Sequence, residues 1–366
     1  MPTDNYYRKY DFERRRKQRR RNAVIKGVLA FCLVLAAAGA AFLVIRFAKD
    51  KELTDPYDAE RGFDRVFTVS RESELLPAYA ADICVVSGDT ETGSFDAETG
   101  LLCSMSGGDA VFSKAALEKR NPASITKIMT CLLALKYGNL DDMVTVTEDA
   151  VITEEGASLA GIKPGDTLTL EQLLYGLMLP SGNDAANAVA VHIAGSIEAF
   201  AEMMNEEAQR LCAVDTHFVN PHGMTDEEHY TTAYDLYLIL REAAKYDKFR
   251  EITSTQAYVA NYTGASGKAL SRTWKNSNRY IAGTHEEPAG VKVRFGKTGT
   301  TIAAGNCIIL MAEGCDGKEH ACVVLKAQGR DALYENTDRI LQKIGTAPEP
   351  VIPETEEITE EEKKAA

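Results

Sequence analysis

The chain has 366 residues, is 45% hydrophobic and 26% charged, and carries a formal net charge of −13. That length allows one large domain or two ordinary ones, and the composition is that of a chain able to bury a core. The charge is uneven: residues 1–46 hold 11 Lys/Arg against 3 Asp/Glu, which leaves 30 basic and 51 acidic residues for the rest. An acidic body lacks the basic face that nucleic acid requires, so no nucleic-acid partner is expected.

In chain order, residues 1–27 form a basic segment that contains RRRKQRRR (14–21). Residues 28–45 follow without a single charge, about the length of a membrane-crossing helix. Basic residues before this run put the N-terminus in the cytoplasm and the remaining chain outside. The small residues of AAAGAA (36–41) offer signal-cleavage sites, but the apolar run continues through Phe42, Leu43, Val44 and Ile45, which suits an uncleaved anchor. The expectation is a single-pass protein of the cell membrane, or a secreted one if the segment is cleaved. Residues 46–75 read as a polar stalk and 76–345 as the globular domain. Residues 346–366, rich in Glu and Pro, read as a disordered acidic tail. Eight cysteines follow no metal spacing, and several lie inside apolar runs, so neither a disulfide framework nor a metal site is expected.

Within the domain, 82–88 and 93–105 read as strands. In 123–138 the apolar positions 125, 128, 129, 132 and 133 recur at the spacing of a buried helix face. A second helix is expected over 169–179, with Thr169 and Gln172 as a capping box and Pro180 ending it. Further helices are expected over 184–195, 196–211 and 232–246. The runs 303–314 and 320–329 read as a hairpin, and 330–345 as a final helix. Strands from both ends of the domain thus bracket a helical middle. This predicts an α+β fold, an antiparallel sheet flanked by helices with an inserted helical lobe.

The stretch FGKTGTT (295–301) admits two readings. A phosphate-binding loop needs four residues between its glycines, but five separate Gly290 from Gly296, and a strand rather than a helix is expected downstream. The other reading makes Lys297-Thr298-Gly299 one wall of a serine acyl-transfer site. It requires a Ser-x-x-Lys and a Ser-x-Asn, and the chain has one of each: SITK (124–127) and SGN (181–183). Ser124 and Lys127, three apart on a helix, share a face. A serine hydroxyl is a weak nucleophile until a base takes its proton. Lys127 can be that base only when neutral, and burial together with the second cation Lys297 would lower its pKa. His222 and His229 read as loop and packing histidines, and Trp274 and Tyr280 as core residues.

Longer segments, NPASITKIMT (121–130), LMLPSGNDAANAVA (177–190), FVNPHGMTDEEHYTTAYDL (218–236) and KNSNRY (275–280), resemble the serine D-Ala-D-Ala carboxypeptidases. These are the low-molecular-mass penicillin-binding proteins of the peptidase S11 family. The resemblance implies a β-lactamase/transpeptidase-like fold, with Ser124 as the acylated nucleophile and Lys127 as its general base. Ser181 would relay a proton to the departing D-alanine, and Asn183 would hold the substrate backbone. Lys297, Thr298 and Gly299 would line the subsite for the terminal carboxylate. The backbone N–H groups of Ser124 and Thr300 would form the oxyanion hole. The implied partners are peptidoglycan stem peptides and, as covalent inhibitors, β-lactams, with no metal and no cofactor. Alternatives on the same residues are a DD-endopeptidase or a β-lactamase. The latter lacks a Glu four residues before Asn187, Asn205 or Asn220. A non-catalytic cell-wall-binding protein is a third alternative. The acidic tail and the SGDTETGS insertion (87–94) depart from the family pattern.

Overall fold

The computed structural model describes residues 83–345, apart from 91, 92 and 94. The expected basic segment, anchor, stalk and tail lie outside the described residues. No helix among the described residues is long and apolar enough to cross a membrane.

The central sheet has five strands in the order β4-β2-β11-β10-β9, with every neighbouring pair antiparallel. They are β2 (Thr99–Ser104), β4 (Phe112–Lys114), β9 (Lys292–Thr301), β10 (Gly305–Glu313) and β11 (Glu319–Ala327). Strands β1 (Cys84–Val85) and β3 (Gly108–Asp109) make a small parallel pair beside it. The expected hairpin is β10–β11, and its central residues are apolar on both faces because both faces are covered. Cys307, Ile309 and Met311 join one core cluster, whereas Ile308, Leu310 and Ala312 alternate into the other. The second cluster is closed by α7 (Arg330–Gly345), which contributes Leu333, Tyr334, Ile340, Leu341 and Ile344.

Among the described residues six α-helices precede α7: α1 (Lys127–Tyr137), α2 (Leu170–Met178), α3 (Asn183–Ala194), α4 (Ile197–Arg210), α5 (Ala233–Ala243) and α6 (Asp247–Ser254). The first is central. Lys127 to Ala134 are all buried, which sets the apolar spacing of this segment against neighbours on every side. The capping box that starts α2 is complete: Gln172 N–H donates to Thr169 Oγ1 at 3.1 Å and Thr169 N–H to Gln172 Oε1 at 3.0 Å. Such a cap contributes about 1 kcal/mol.

The middle of the domain is less purely helical than expected. It contains a second antiparallel sheet, β5 (Met143–Thr145), β6 (Thr167–Thr169), β7 (Ala257–Thr263) and β8 (Ala269–Lys275), in that order. Helix α6 was also not anticipated. Seven described cysteines are free thiols, five of them buried.

Candidate active site

Three segments meet at one end of the central sheet. The first is a single 3-10 turn, Ala123–Thr126, that leads directly into α1. Ser124 therefore lies one turn before the α-helix rather than in its first turn. The i,i+3 relation to Lys127 survives, because a 3-10 turn eclipses residues three apart. Lys127 Nζ is 2.9 Å from Ser124 Oγ.

The turn is held under strain. Ala123 has φ 49°, a left-handed conformation that costs a residue with a Cβ about 1–3 kcal/mol. Its carbonyl accepts from Thr126 Oγ1 at 2.8 Å, and Gly223 packs against that carbonyl so closely that a Cβ there would overlap it. Thr126 Oγ1 lies 2.8 Å from His229 Nε2, and His229 Nδ1 accepts from Val219 N–H at 3.2 Å. With Nδ1 accepting, Nε2 carries the proton and donates to Thr126. Burial keeps this imidazole neutral, pushing its pKa down to about 4. His222 is likewise pushed down to about 3, chiefly by burial. Its ring accepts from Met224 N–H at 3.1 Å, and Ser124 Oγ is hydrogen-bonded to Lys127 rather than to either histidine ring.

The second segment is the α2–α3 connection. Ser181 has φ 65°, and the two residues that follow it are fixed by Gly182 N–H to Gly176 O and Asn183 N–H to Ser158 O. Asp184 anchors the neighbouring loop, accepting from the N–H groups of Ala160, Gly161 and Ile162. This turn aims both Ser181 and Asn183 inward, where both are buried.

The third segment is β9, the open edge of the central sheet. Lys297 is 2% exposed, and its Nζ donates to Ser181 Oγ at 2.9 Å and to Thr298 O at 2.8 Å. Gly299 has no Cβ, and one placed there would lie 2.8 Å from Ser124 N. The strand thus runs directly beside the nucleophile turn, with Thr300 next in sequence. Ser124 N–H has no acceptor among the described residues, which leaves it available to an oxyanion.

The decisive geometry is that of the Lys127 amine. Besides Ser124 Oγ it contacts Asn183 Oδ1 and the His222 carbonyl, each at 2.7 Å. Burial, reinforced by the nearby Lys297 charge and opposed by Asp184, pushes its pKa well below the usual value. A neutral amine has two hydrogens and one lone pair. The two hydrogens go to Asn183 and His222, whose oxygens can only accept. The lone pair is left facing Ser124, whose hydroxyl then donates to it.

All the residues expected from the sequence lie on these three segments. The His222 carbonyl, the Gly223 contact and the Asp184 anchor were missed. A backbone acceptor leaves no residue-type signature. The one signal for that loop was that NPHGM (220–224) lies inside the family-like segment 218–236.

Residues 87–329 match the family described as Peptidase_S11, D-alanyl-D-alanine carboxypeptidase. The chain belongs to this family. Among curated family members, it is 37% identical over 165 residues to the carboxypeptidase DacF of Bacillus subtilis, covering 44% of this chain and 42% of that protein. It is 35% identical over 217 residues to the D-alanyl-D-alanine carboxypeptidase of a Streptomyces strain (K15), covering 56% and 72%. The alignment thus spans less than half of the Bacillus relative and nearly three-quarters of the Streptomyces one. The crystal structure of the Streptomyces K15 DD-transpeptidase superposes with a TM-score of 0.64 at 31% identity, covering 69% of this chain and 98% of that one. The α+β fold, with antiparallel sheets and flanking helices, is therefore that of a DD-peptidase. Among the described residues no group of His, Cys, Asp and Glu could hold a metal ion.

Proposed function

We propose that this carboxypeptidase-family chain removes the terminal D-alanine from peptidoglycan stem peptides through an ester on Ser124. The observation that carries this is the position of the Lys127 amine: buried, with its Nζ 2.9 Å from the Ser124 hydroxyl. Ser124 Oγ attacks the carbonyl carbon of the penultimate D-alanine as its proton passes to Lys127. The oxyanion that forms accepts from the N–H groups of Ser124 and Thr300. One such donor contributes about 2.7–4 kcal/mol to the transition state.

Collapse breaks the C–N bond, and the proton held by Lys127 passes through Ser181, whose Oγ is hydrogen-bonded to Lys297, to the departing amine, which leaves Lys127 neutral again. Water then hydrolyses the ester, with Lys127 again accepting a proton. Asn183 holds the peptide backbone. Lys297 and Thr298 set the subsite for the free carboxylate that marks the chain end, and Gly299 lets β9 close on it. A β-lactam presents a carboxylate and a strained amide to the same groups and would acylate Ser124. Residues 28–45 would anchor the chain in the cell membrane, with the domain 76–345 extracytoplasmic, near its substrate.

The test is release of D-alanine from a diacyl-Lys-D-Ala-D-Ala peptide. The wild type should release it and Ser124→Ala should not. Equal release by both would reject the assignment.

A further inference from the structure

Residues 275–280 lie outside the three catalytic motifs, yet side-chain-to-backbone hydrogen bonds fix the segment, although the buried Asn278 Nδ2 has no partner among the described residues. Asn276 and Asn278 are both buried, at 8% and 0% exposure. Asn276 Nδ2 donates to the carbonyls of Thr253 and Thr255. Asn276 Oδ1 accepts from Asn278 N–H at 3.0 Å, and Asn278 Oδ1 from Tyr280 N–H at 3.1 Å. Between these locked side chains Ser277 alone is exposed. Its N–H donates to Leu179 O at 3.0 Å, two residues before Ser181, and its Oγ lies 3.1 Å from Thr298 Oγ1. The segment thus bridges the α2–α3 turn and β9 and presents one hydroxyl beside that of Thr298.

The chemistry of this pair is specific. Lys297 is buried and turned toward Ser181 and the Thr298 carbonyl, so it supplies charge from behind rather than direct contact. A carboxylate has two coplanar oxygens and accepts only. Two neighbouring hydroxyls, each free to rotate its hydrogen, can donate one bond to each oxygen. Hydrogen bonds to a charged group are stronger than neutral ones and are worth most where the donors are held in place beforehand. In the absence of substrate, one of the two hydroxyls donates to the other.

We infer that Ser277 is a substrate-binding residue that pairs with Thr298 to grip the C-terminal carboxylate, and so contributes to selecting a free chain end over an internal or amidated one. This rests on the function proposed above, and the experiment separates the two. Wild type, Ser277→Ala and Ser277→Thr are compared on two peptides, one ending in D-Ala-D-Ala with a free carboxylate and one ending in D-Ala-D-Ala amide. Wild-type protein that releases no D-alanine would reject the proposed function.

If wild type is active, Ser277→Ala should lower kcat/KM for the acid about 10-fold or more, mainly through KM. It should leave the slower reaction of the amide unchanged, and Ser277→Thr, which restores a hydroxyl, should recover most of the loss. Thermal midpoints should agree among the three proteins. An unchanged kcat/KM for the acid would overturn the inference. So would an equal fall on both peptides, which would mark Ser277 as a structural support only.

Discussion

Gly299 is the residue whose substitution most sharply probes how β9 meets the nucleophile. Its φ is ordinary, so Gly299→Ala introduces no backbone strain. The conflict is purely one of space. The new Cβ would lie 2.8 Å from Ser124 N, and 3.0 Å from both Ala123 Cβ and Pro122 O. Ordinary carbon contacts begin near 3.5 Å, so β9 and the turn must part by about half an ångström. The turn cannot yield freely, because Ala123 is held at positive φ by Thr126 and Gly223. Oxyanion hydrogen bonds of 2.7–3.1 Å do not tolerate such a shift. Losing one donor costs about 2.7–4 kcal/mol, or roughly 10²–10³ in kcat. Overpacking itself should cost stability only about 1–3 kcal/mol. The assay is steady-state release of D-alanine alongside a thermal melt. A folded Gly299→Ala protein with wild-type kcat would refute the placement of the oxyanion hole beside β9.

Two further predictions follow from the buried titratable groups. Lys127 must be neutral to accept a proton and Lys297 charged to attract a carboxylate. Thus kcat/KM should fall toward acid as Lys127 protonates, and fall again above a pH near about 7, where burial places Lys297. A bound carboxylate raises the Lys297 pKa, so the alkaline limb of kcat should lie at higher pH than that of kcat/KM. Coincident limbs would contradict the carboxylate subsite. For His229 the folded pKa of about 4 lies below its unfolded value of 6.5, so the unfolded chain binds more protons between them. Its contribution to stability should be complete above 6.5 and decline by about 3 kcal/mol as pH falls toward 4. Urea midpoints measured across that range check this, and a His229→Gln variant should show a flatter dependence.

Much of this architecture is legible in the sequence because it is written in side chains. The α2 capping box, the α1 apolar face and the β10–β11 hairpin each leave a local pattern that packing then reinforces. The second sheet leaves none. Strands β5 and β6 have three residues each, too few for an alternation to register. Most of β8 is exposed on both faces, so its pairing with β7 is carried by the backbone ladder. The same distinction divides the site. Ser124, Lys127, Ser181, Asn183 and Lys297 are visible because their chemistry resides in residue type and spacing. The His222 carbonyl that orients Lys127 resides in the main chain, and no residue type announces it. The 3-10 turn at Ser124 was hidden because a single turn has the same i,i+3 spacing as the helix it precedes.

The central claim is that Ser124, activated by Lys127, forms an ester with its substrate. Incubation of the protein with benzylpenicillin, followed by intact-mass measurement and peptide mapping, tests this without requiring the natural substrate. One penicilloyl group should be found per chain, on the peptide containing Ser124, with no adduct on Ser124→Ala and strongly slowed labelling of Lys127→Ala. An adduct on another residue, or none on the folded wild-type protein, would contradict it.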